Sequence, residues 1–386
     1  MNIPIIRIPF SKEEKESLQR SLSEILDSGM LSMGKYVREF EECFKDFTGS
    51  KYALAVNSGT AALEIILRAI GVEGKTVAMP SNTYMASPLA TIHAGARPVF
   101  IDCIKENLQM SASDLKNKLR DDTAAVMLVH IGGIISPEYY KIKKVCEERN
   151  IPLIEDAAHA HGATIDGKMA GTLGLAAAFS FYATKVLTSG EGGMMVTDNE
   201  NIFKKGEILR EHGKKESAFN IHVDLGHTWT LSEFQAMVGV LQVKKAEEIL
   251  KDRRRIAGKY DVLLKNIDGL YPLYIPKSIQ SSYYKYIAFL AEDIDRDNFK
   301  KYVKNKYSVS LTGEVYAYPC HRQPVFEMHP EKIIKPDLDT FANTEYIVKH
   351  HICLPLYPGM TDEEIEYVVN SLKSALKEIV TVHPLP

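Results

Sequence analysis

The run FSFYATKVLTSGEGGMMV, residues 179–196, decides how this chain is read. Its start continues the strand-like AAAFSF of 176–181, and its end opens the strand-like GMMVTD of 193–198. Between them stand Lys185 and a turn holding Gly190, Gly192 and Gly193. A long cationic side chain at the mouth of an apolar strand, followed by backbone that bends freely, marks a place where a ligand can meet a sheet. Taken alone, Lys185 is equally readable as a surface lysine at a strand end.

Outward from this stretch, short apolar runs alternate with amphipathic ones. KYALAV (51–56) precedes the helix-like TAALEIILRAI (60–70), and TVAM (76–79) precedes TYMASPLATIHAG (83–95). RPVFI (97–101), TAAVMLV (123–129) and IPLIE (151–155) read as further strands, with helices expected at 111–120 and 137–150 between them. This alternation specifies an α/β fold with a mainly parallel sheet wrapped by helices. Further helices are expected at 199–212 and 231–265. After about residue 265 the pattern changes. YYKYIAFL (283–290) and KYSVSLTGEVY (306–316) read as strands beside helices at 295–305 and 361–379, a smaller α+β unit. A chain of 386 residues exceeds one ordinary core, so the expected division is a large domain over 1–250 and a small C-terminal domain over 251–386.

The formal net charge of −3 offers no basic footprint for nucleic acid or an anionic membrane. Five cysteines (Cys43, Cys103, Cys146, Cys320 and Cys353) lie far apart, with no CxxC spacing. That disfavours a disulfide framework or a zinc site and fits a reducing compartment. The opening MNIPIIRIPF is too short and too interrupted by Arg7 for a signal peptide. No run approaches the roughly 18 apolar residues of a membrane helix. A cytoplasmic location is the expectation.

In an open α/β sheet, ligands bind beyond the carboxyl ends of the strands. Those ends carry Asn57-Ser58-Gly59-Thr60, then Pro80-Ser81-Asn82-Thr83-Tyr84, then Asp102, His130 and Asp156. Any one of them is explained by loop solubility; five together favour a site. In NSGTAAL, Gly59 lets backbone approach a ligand, and the N–H groups of Thr60, Ala61 and Ala62 open a helix N-terminus suited to phosphate. The competing reading is an ordinary cap by Ser58 or Thr60. GxxxxGK[ST] is absent, and no early strand is followed by GxGxxG, so nucleotide-binding fingerprints are missing. Asp156 follows a very apolar strand and needs a cationic partner, a lysine or a ring nitrogen. His159 and His161 form an HxH pair, but a zinc reading needs further ligands that the spacing does not offer, so no metal is expected. His159 is either satisfied by local backbone or in contact with a ligand.

Lysine forms Schiff bases with carbonyl compounds only when deprotonated. Its ordinary pKa of about 10.4 must then fall through burial or a nearby cation. Lys185, an acid for a pyridinium nitrogen at Asp156, a phosphate cradle at Ser58–Ala61 and a flat aromatic at Tyr84 together specify pyridoxal 5′-phosphate. Ser180, five residues before Lys185, would add a hydroxyl to the phosphate.

Over nearly its full length the chain resembles the DegT/DnrJ/EryC1/StrS family of pyridoxal-phosphate sugar aminotransferases, which have an aspartate-aminotransferase-like fold (fold type I). The stretches that carry the resemblance are NSGTAAL, PSNTYMAS, GARPVFIDC, LIEDAAHAHGA, FSFYATKVLTSGEGGMMVT, LREHG, LSEFQAMVG, YPCHRQPVF and LPLYPGMTDEEI, in that order. The resemblance implies that Lys185 holds the cofactor as a Schiff base and later shuttles a proton. It implies that Asp156 pairs with the ring nitrogen, that Tyr84 stacks on the ring, that Gly59, Thr60 and Ser180 meet the phosphate, and that His159 lies near the ring hydroxyl. It further implies an amino donor, glutamate or glutamine, a nucleotide-linked keto-sugar acceptor, and a homodimer with shared active sites whose interface includes the 220–230 stretch and the surroundings of Tyr84. Relatives that dehydrate carry histidine at the lysine position, so Lys185 argues against dehydration.

Two departures bear on the substrate. Many members have G-[YF]-N-[YF]-R before LSE, whose asparagine reaches the neighbouring subunit's phosphate; here the stretch is Gly226-His227-Thr228-Trp229-Thr230, and Thr228 could replace one hydrogen bond. HIGGIIS (130–136) replaces a run that more usually ends in G-Q-P. A sugar phosphate, a cyclitol or another small keto compound is therefore an alternative acceptor. A non-transaminating reaction on the same cofactor, epimerisation or elimination, is an alternative activity, and a regulatory protein on the same scaffold is disfavoured by the intact Lys185–Asp156 pair. His130, Trp229, Tyr316 and His321 are the candidates for the substrate side; Trp229 is equally readable as interface core.

Overall fold

The computed structural model describes residues 1–216 and 220–382. A seven-stranded sheet lies at its centre, built from β1 (Tyr52–Val56), β2 (Thr76–Pro80), β3 (Arg97–Ile101), β4 (Thr123–Val129), β5 (Leu153–Asp156), β6 (Ala176–Ser180) and β7 (Gly193–Thr197). The order is β3-β2-β4-β5-β6-β7-β1. Every strand is parallel except β7, which runs against both β6 and β1. A parallel return needs a crossover of a dozen or more residues, usually through a helix, whereas an antiparallel one does not. The Lys185 segment, which contains no helix, is the turn that makes this reversal.

Strand alternation divides the interior. On β1, Ala53 and Ala55 face one core while Leu54 and Val56 face the other, as a pleat with period two requires. Helices follow as α1 (Lys12–Ser28), α2 (Lys35–Thr48), α3 (Gly59–Ile70), α4 (Ala86–His93), α5 (Ala112–Lys118), α6 (Tyr139–Glu148), α7 (Glu200–Arg210), α8 (Glu233–Lys244) and α9 (Ala246–Leu263). Phe40 and Phe44 of α2 pack with Val240 of α8 on the first face; Ile65 and Ile66 of α3 pack with Ile202 and Leu209 of α7 on the second. A third core joins Ile256 and Tyr260 of α9 to a small antiparallel sheet of Leu270–Pro272, Tyr286–Leu290 and His351–Leu354, and it takes in Ile3 from the far end of the chain. The division expected at 250/251 thus falls inside α9, between Leu250 in the first core and Ile256 in the third.

All seven expected strands of the large sheet form, but two other expectations are corrected. The strand expected at 306–316 does not exist: Lys306 and Tyr307 end the helix Arg296–Tyr307, Ser308 closes it in the left-handed region at φ 55°, and only Val309 pairs, in a single bridge to Ile3. Val309, Leu311 and Val315 are buried, with exposed Gly313 breaking the alternation, and no strand among the described residues receives the segment. The helix expected over 231–265 is two helices that meet at Lys245. Helices α1 and α2 precede the alternating pattern. Ser11 and Glu14 start α1 with a reciprocal capping box, and Gly29 and Gly49 end α1 and α2 in left-handed conformations. No helix among the described residues is long and apolar enough to cross a membrane.

Candidate active site

A cavity of about 420 Å³ opens at the carboxyl ends of the strands. Ser58, Gly59, Thr60, Tyr84, Asp156, His159, Ser180, Lys185 and Tyr316 all line it. The start of α3 is pressed against β6 and β7. A Cβ on Gly59 would lie 2.9 Å from the Ser180 Cβ, and one on Gly193 would lie 2.1 Å from the Ser58 carbonyl oxygen. Glycine is needed at both positions because backbones meet there. The Ser58 hydroxyl accepts the Ala61 N–H at 3.1 Å, and the Ser58 carbonyl accepts that of Ala62 at 3.2 Å. Ala61 is therefore spent on the cap and does not line the cavity, contrary to expectation. The N–H groups of Gly59 and Thr60 remain for an anion at the helix end.

Asp156 is 5% exposed. It accepts the Ser87 hydroxyl at 2.8 Å and the Ala158 N–H at 3.2 Å. Burial raises its proton affinity, against those two hydrogen bonds and the attraction of Lys185. Ser87, in the first turn of α4, is itself 2.8 Å from the Thr83 hydroxyl. The neighbouring carboxylate points the other way, as pleating dictates. Glu155 is fully buried and accepts the N–H groups of Gly171, Leu173 and Gly174, each at 2.8 Å.

Lys185 is half-buried. Burial pushes its pKa down to about 8, opposed by Asp156 and reinforced by Lys285. A usable fraction of free amine follows at neutral pH, which is what a carbonyl-reactive lysine requires. His159 stacks on Tyr284 with ring centres 4.2 Å apart. Its Nδ1 accepts the Gly132 N–H at 3.4 Å, so Nε2 carries the proton towards the Tyr316 hydroxyl at 3.1 Å. Burial, with Lys185 and Lys285 nearby, lowers the affinity of this ring well below its usual range and keeps it neutral. Tyr84 is 62% exposed, its ring 5.6 Å from that of Tyr316.

Besides Ala61, four expected residues lie outside the cavity. His130 is fully buried, with Nε2 2.9 Å from Glu155; it is Val129, one residue earlier and on the opposite face of β4, that lines the cavity. His321 is held between Ser81 at 2.5 Å and Glu345 at 3.0 Å and stacks on Phe341, tying the end of β2 to the helix Ala342–His350. Thr228 is exposed, with its hydroxyl 2.9 Å from His212. Trp229 packs against His227 with ring centres 4.5 Å apart and planes tilted by 31°, and its carbonyl accepts the Asn57 N–H at 2.9 Å. Asp102, also at a strand end, receives the Thr344 N–H and hydroxyl at 2.9 and 2.7 Å and so anchors that same helix. Conversely, Tyr182, Thr184, Glu191 and Tyr284 line the cavity unforeseen.

The HxH pair separates. His161 sits against Phe44, Phe179 and Phe181, and neither ring nitrogen has a partner. Burial pushes its pKa down to about 3 from 6.5. The unfolded chain then holds more protons on this ring throughout that window, and stability falls as pH drops through it. His161→Phe removes two orphaned nitrogens, so it is expected to be at least as stable as the native protein at pH 7. It is also expected to lose less stability on acidification between those values. Urea midpoints against pH for both proteins check this, and parallel profiles would contradict it.

A helix end with free N–H groups, a buried acid and a lysine of lowered proton affinity around one cavity fit the phosphate, ring nitrogen and aldehyde of pyridoxal 5′-phosphate. With this sheet order they define a pyridoxal-phosphate-dependent enzyme of the aspartate-aminotransferase-like fold. The chain belongs to the DegT/DnrJ/EryC1/StrS aminotransferase family, which it matches over residues 12–373, and it is a pyridoxal-phosphate-dependent sugar aminotransferase. It is 33% identical to the spore coat polysaccharide biosynthesis protein SpsC of Bacillus subtilis over 377 residues, 94% of this chain and 95% of the relative. It is 31% identical to GDP-perosamine synthase of Vibrio cholerae, across 92% of this chain and 95% of that one. Its fold matches that of PseC of Helicobacter pylori, an aminotransferase involved in the biosynthesis of pseudoaminic acid. The TM-score is 0.87 at 23% identity, covering 98% of this chain and 100% of that one.

Proposed function

We propose that this protein moves an amino group from glutamate or glutamine to the keto group of a nucleotide-linked sugar, working as a homodimer with shared active sites. The observation that carries this reading is the half-buried Lys185 amine beside Asp156 in a cavity that ends on the start of α3. Pyridoxal 5′-phosphate, when bound, supplies an aldehyde that accepts amines and a ring that withdraws electrons. The N–H groups of Gly59 and Thr60 and the Ser180 hydroxyl would hold its phosphate, and the Asp156 carboxylate would keep a proton on its ring nitrogen. The Lys185 Nζ would anchor it and, once displaced by the donor, take and return the proton that moves in amino transfer. Neutral His159, fixed by Gly132 and Tyr316, would orient the ring and keep water from it.

Relatives named for GDP-perosamine and for a dTDP-linked amino sugar support a nucleotide-linked acceptor. Charge supports the second subunit. Among the lining residues Lys185 is the one lysine and there is no arginine, yet a dicarboxylate donor and a diphosphate-linked acceptor both bring negative charge. Cations from outside the cavity are required. Ile221, Val223 and Leu225 are 58%, 52% and 82% exposed, in the run that leads to Thr228 and Trp229 beside Asn57. A partner covering that run would bury this apolar surface at the mouth of the site.

Glutamate or glutamine added to the holoprotein should bleach the cofactor band, at roughly 410–430 nm for such cofactors, with release of one keto acid per site. GDP-, UDP- or dTDP-linked keto-sugars should then restore it, and simple sugar phosphates should not. An unchanged spectrum with either donor would move the activity to a non-transaminating reaction. Sedimentation at micromolar concentration should give twice the chain mass.

A further inference from the structure

A second lysine shares the ring that flanks Lys185. The Lys185 Nζ lies 5.0 Å from the centre of the Tyr284 ring, and the Lys285 Nζ lies 5.0 Å from the same centre. The two ammonium groups can be no farther apart than twice that distance. Tyr284 is held in place by the Thr184 hydroxyl at 3.1 Å and by His159 stacked on it. Lys285 is half-buried and anchored through its N–H to the Gly132 carbonyl at 3.2 Å. Space for its ammonium group comes from Gly313, where a Cβ would lie 2.9 Å from Nζ. Neither lysine forms an ion pair among the described residues.

We propose that Lys285 is a positioning residue for the amino-transfer reaction: a second positive charge fixed on the same tyrosine ring, which repels a proton on Lys185 and keeps that amine free to attack. The proposal rests on the reading of Lys185 as the cofactor-bearing lysine. The groups facing Lys185 are Asp156, His159 and His161 beyond β5, Tyr284 and Lys285 on the segment before the strand Tyr286–Leu290, Tyr316, and Glu191 on the cavity wall; a second cavity that Lys185 also lines carries Glu14, Lys245, Glu248, Lys251, Asp252, Arg253 and Arg255, and Arg253 and Cys353 face Lys285. Of these, Asp156 attracts a proton to Lys185 and Lys285 is the cation that opposes it; His159 and His161 are neutral, and burial lowers the proton affinity of Lys285 itself, so the repulsion is greatest at the lower end of the pH range where Lys285 is charged. Two like charges within this separation shift a titration by about 0.5–1 pH unit.

The test is the pH dependence of covalent capture. Full-length protein is mixed with pyridoxal 5′-phosphate across pH 6–10, fixed with borohydride, and the adduct at Lys185 is quantified by peptide mass spectrometry. Lys285→Met and Lys285→Gln remove the charge, so Lys185 holds its proton more tightly and the midpoint should rise by that amount. Lys285→Arg keeps the charge and should titrate as the native protein does. Coincident midpoints for the native protein and both neutral variants would overturn the role of Lys285 while leaving Lys185 in place. A native protein with no adduct at Lys185 at any pH would overturn both readings.

Discussion

Lys185→Ala should give a folded protein that retains pyridoxal 5′-phosphate by its phosphate and ring but transfers amino groups at least about 1,000-fold more slowly. The fold should survive because the side chain makes no ion pair and sits half-buried at a cavity wall, and the Asp156 carboxylate beside it keeps its hydrogen bonds from Ser87 and Ala158. The chemistry should fail because the amine does two things that no other lining side chain can do: it anchors the aldehyde, and it carries the proton between carbon atoms. Asp156 is too deeply buried and too committed to Ser87 and Ala158 to take over as base, and neutral His159 is fixed at both ring nitrogens. The measurement is single-turnover conversion of the cofactor spectrum with glutamate, alongside borohydride fixation. Ordinary turnover in this variant would remove Lys185 from its role. Lys185→Arg should fail as completely, since it restores charge without a titratable amine.

The sheet was legible because its strands are short apolar runs between amphipathic helices, and Lys185, Asp156 and Ser58–Thr60 because they sit where such runs stop. What escaped depends on parity and on distance along the chain. His130 and Asp156 both follow apolar strands, yet one is turned into the interior and the other into the cavity. Only the registered pleat of β4 against β5 decides which. Glu155 looks like a costly buried charge until the loop 171–174 brings three N–H groups to it. Ser87 lies within the quoted PSNTYMAS, but its contact with Asp156 spans 69 residues. Tyr284 falls within the strand-like run YYKYIAFL, and its stacking on His159 appears only when the small sheet folds back over the large one. The 306–316 sequence alternates like a strand, but among the described residues no strand lies beside it, a fact no local pattern carries.

Asp156→Ala should separate activation of the cofactor from its retention. The phosphate is met by the start of α3 and by Ser180, whereas Asp156 enters from the end of β5. Binding should therefore weaken far less than catalysis, within about tenfold, while amino transfer falls by at least about 100-fold through loss of a charge aimed at the ring nitrogen. The variant also carries a signature that mere disruption would not produce. Asp156 attracts the Lys185 proton and Lys285 repels it. Removing the acid should move the Lys185 capture midpoint down, opposite in sign to Lys285→Met. Ser87 keeps its contact with Thr83, so the site should not collapse when the carboxylate goes. Titration of cofactor absorbance, single-turnover rates and the capture midpoint on one preparation distinguish the cases. Loss of cofactor binding larger than the loss of rate, with an unmoved midpoint, would make Asp156 a structural acid.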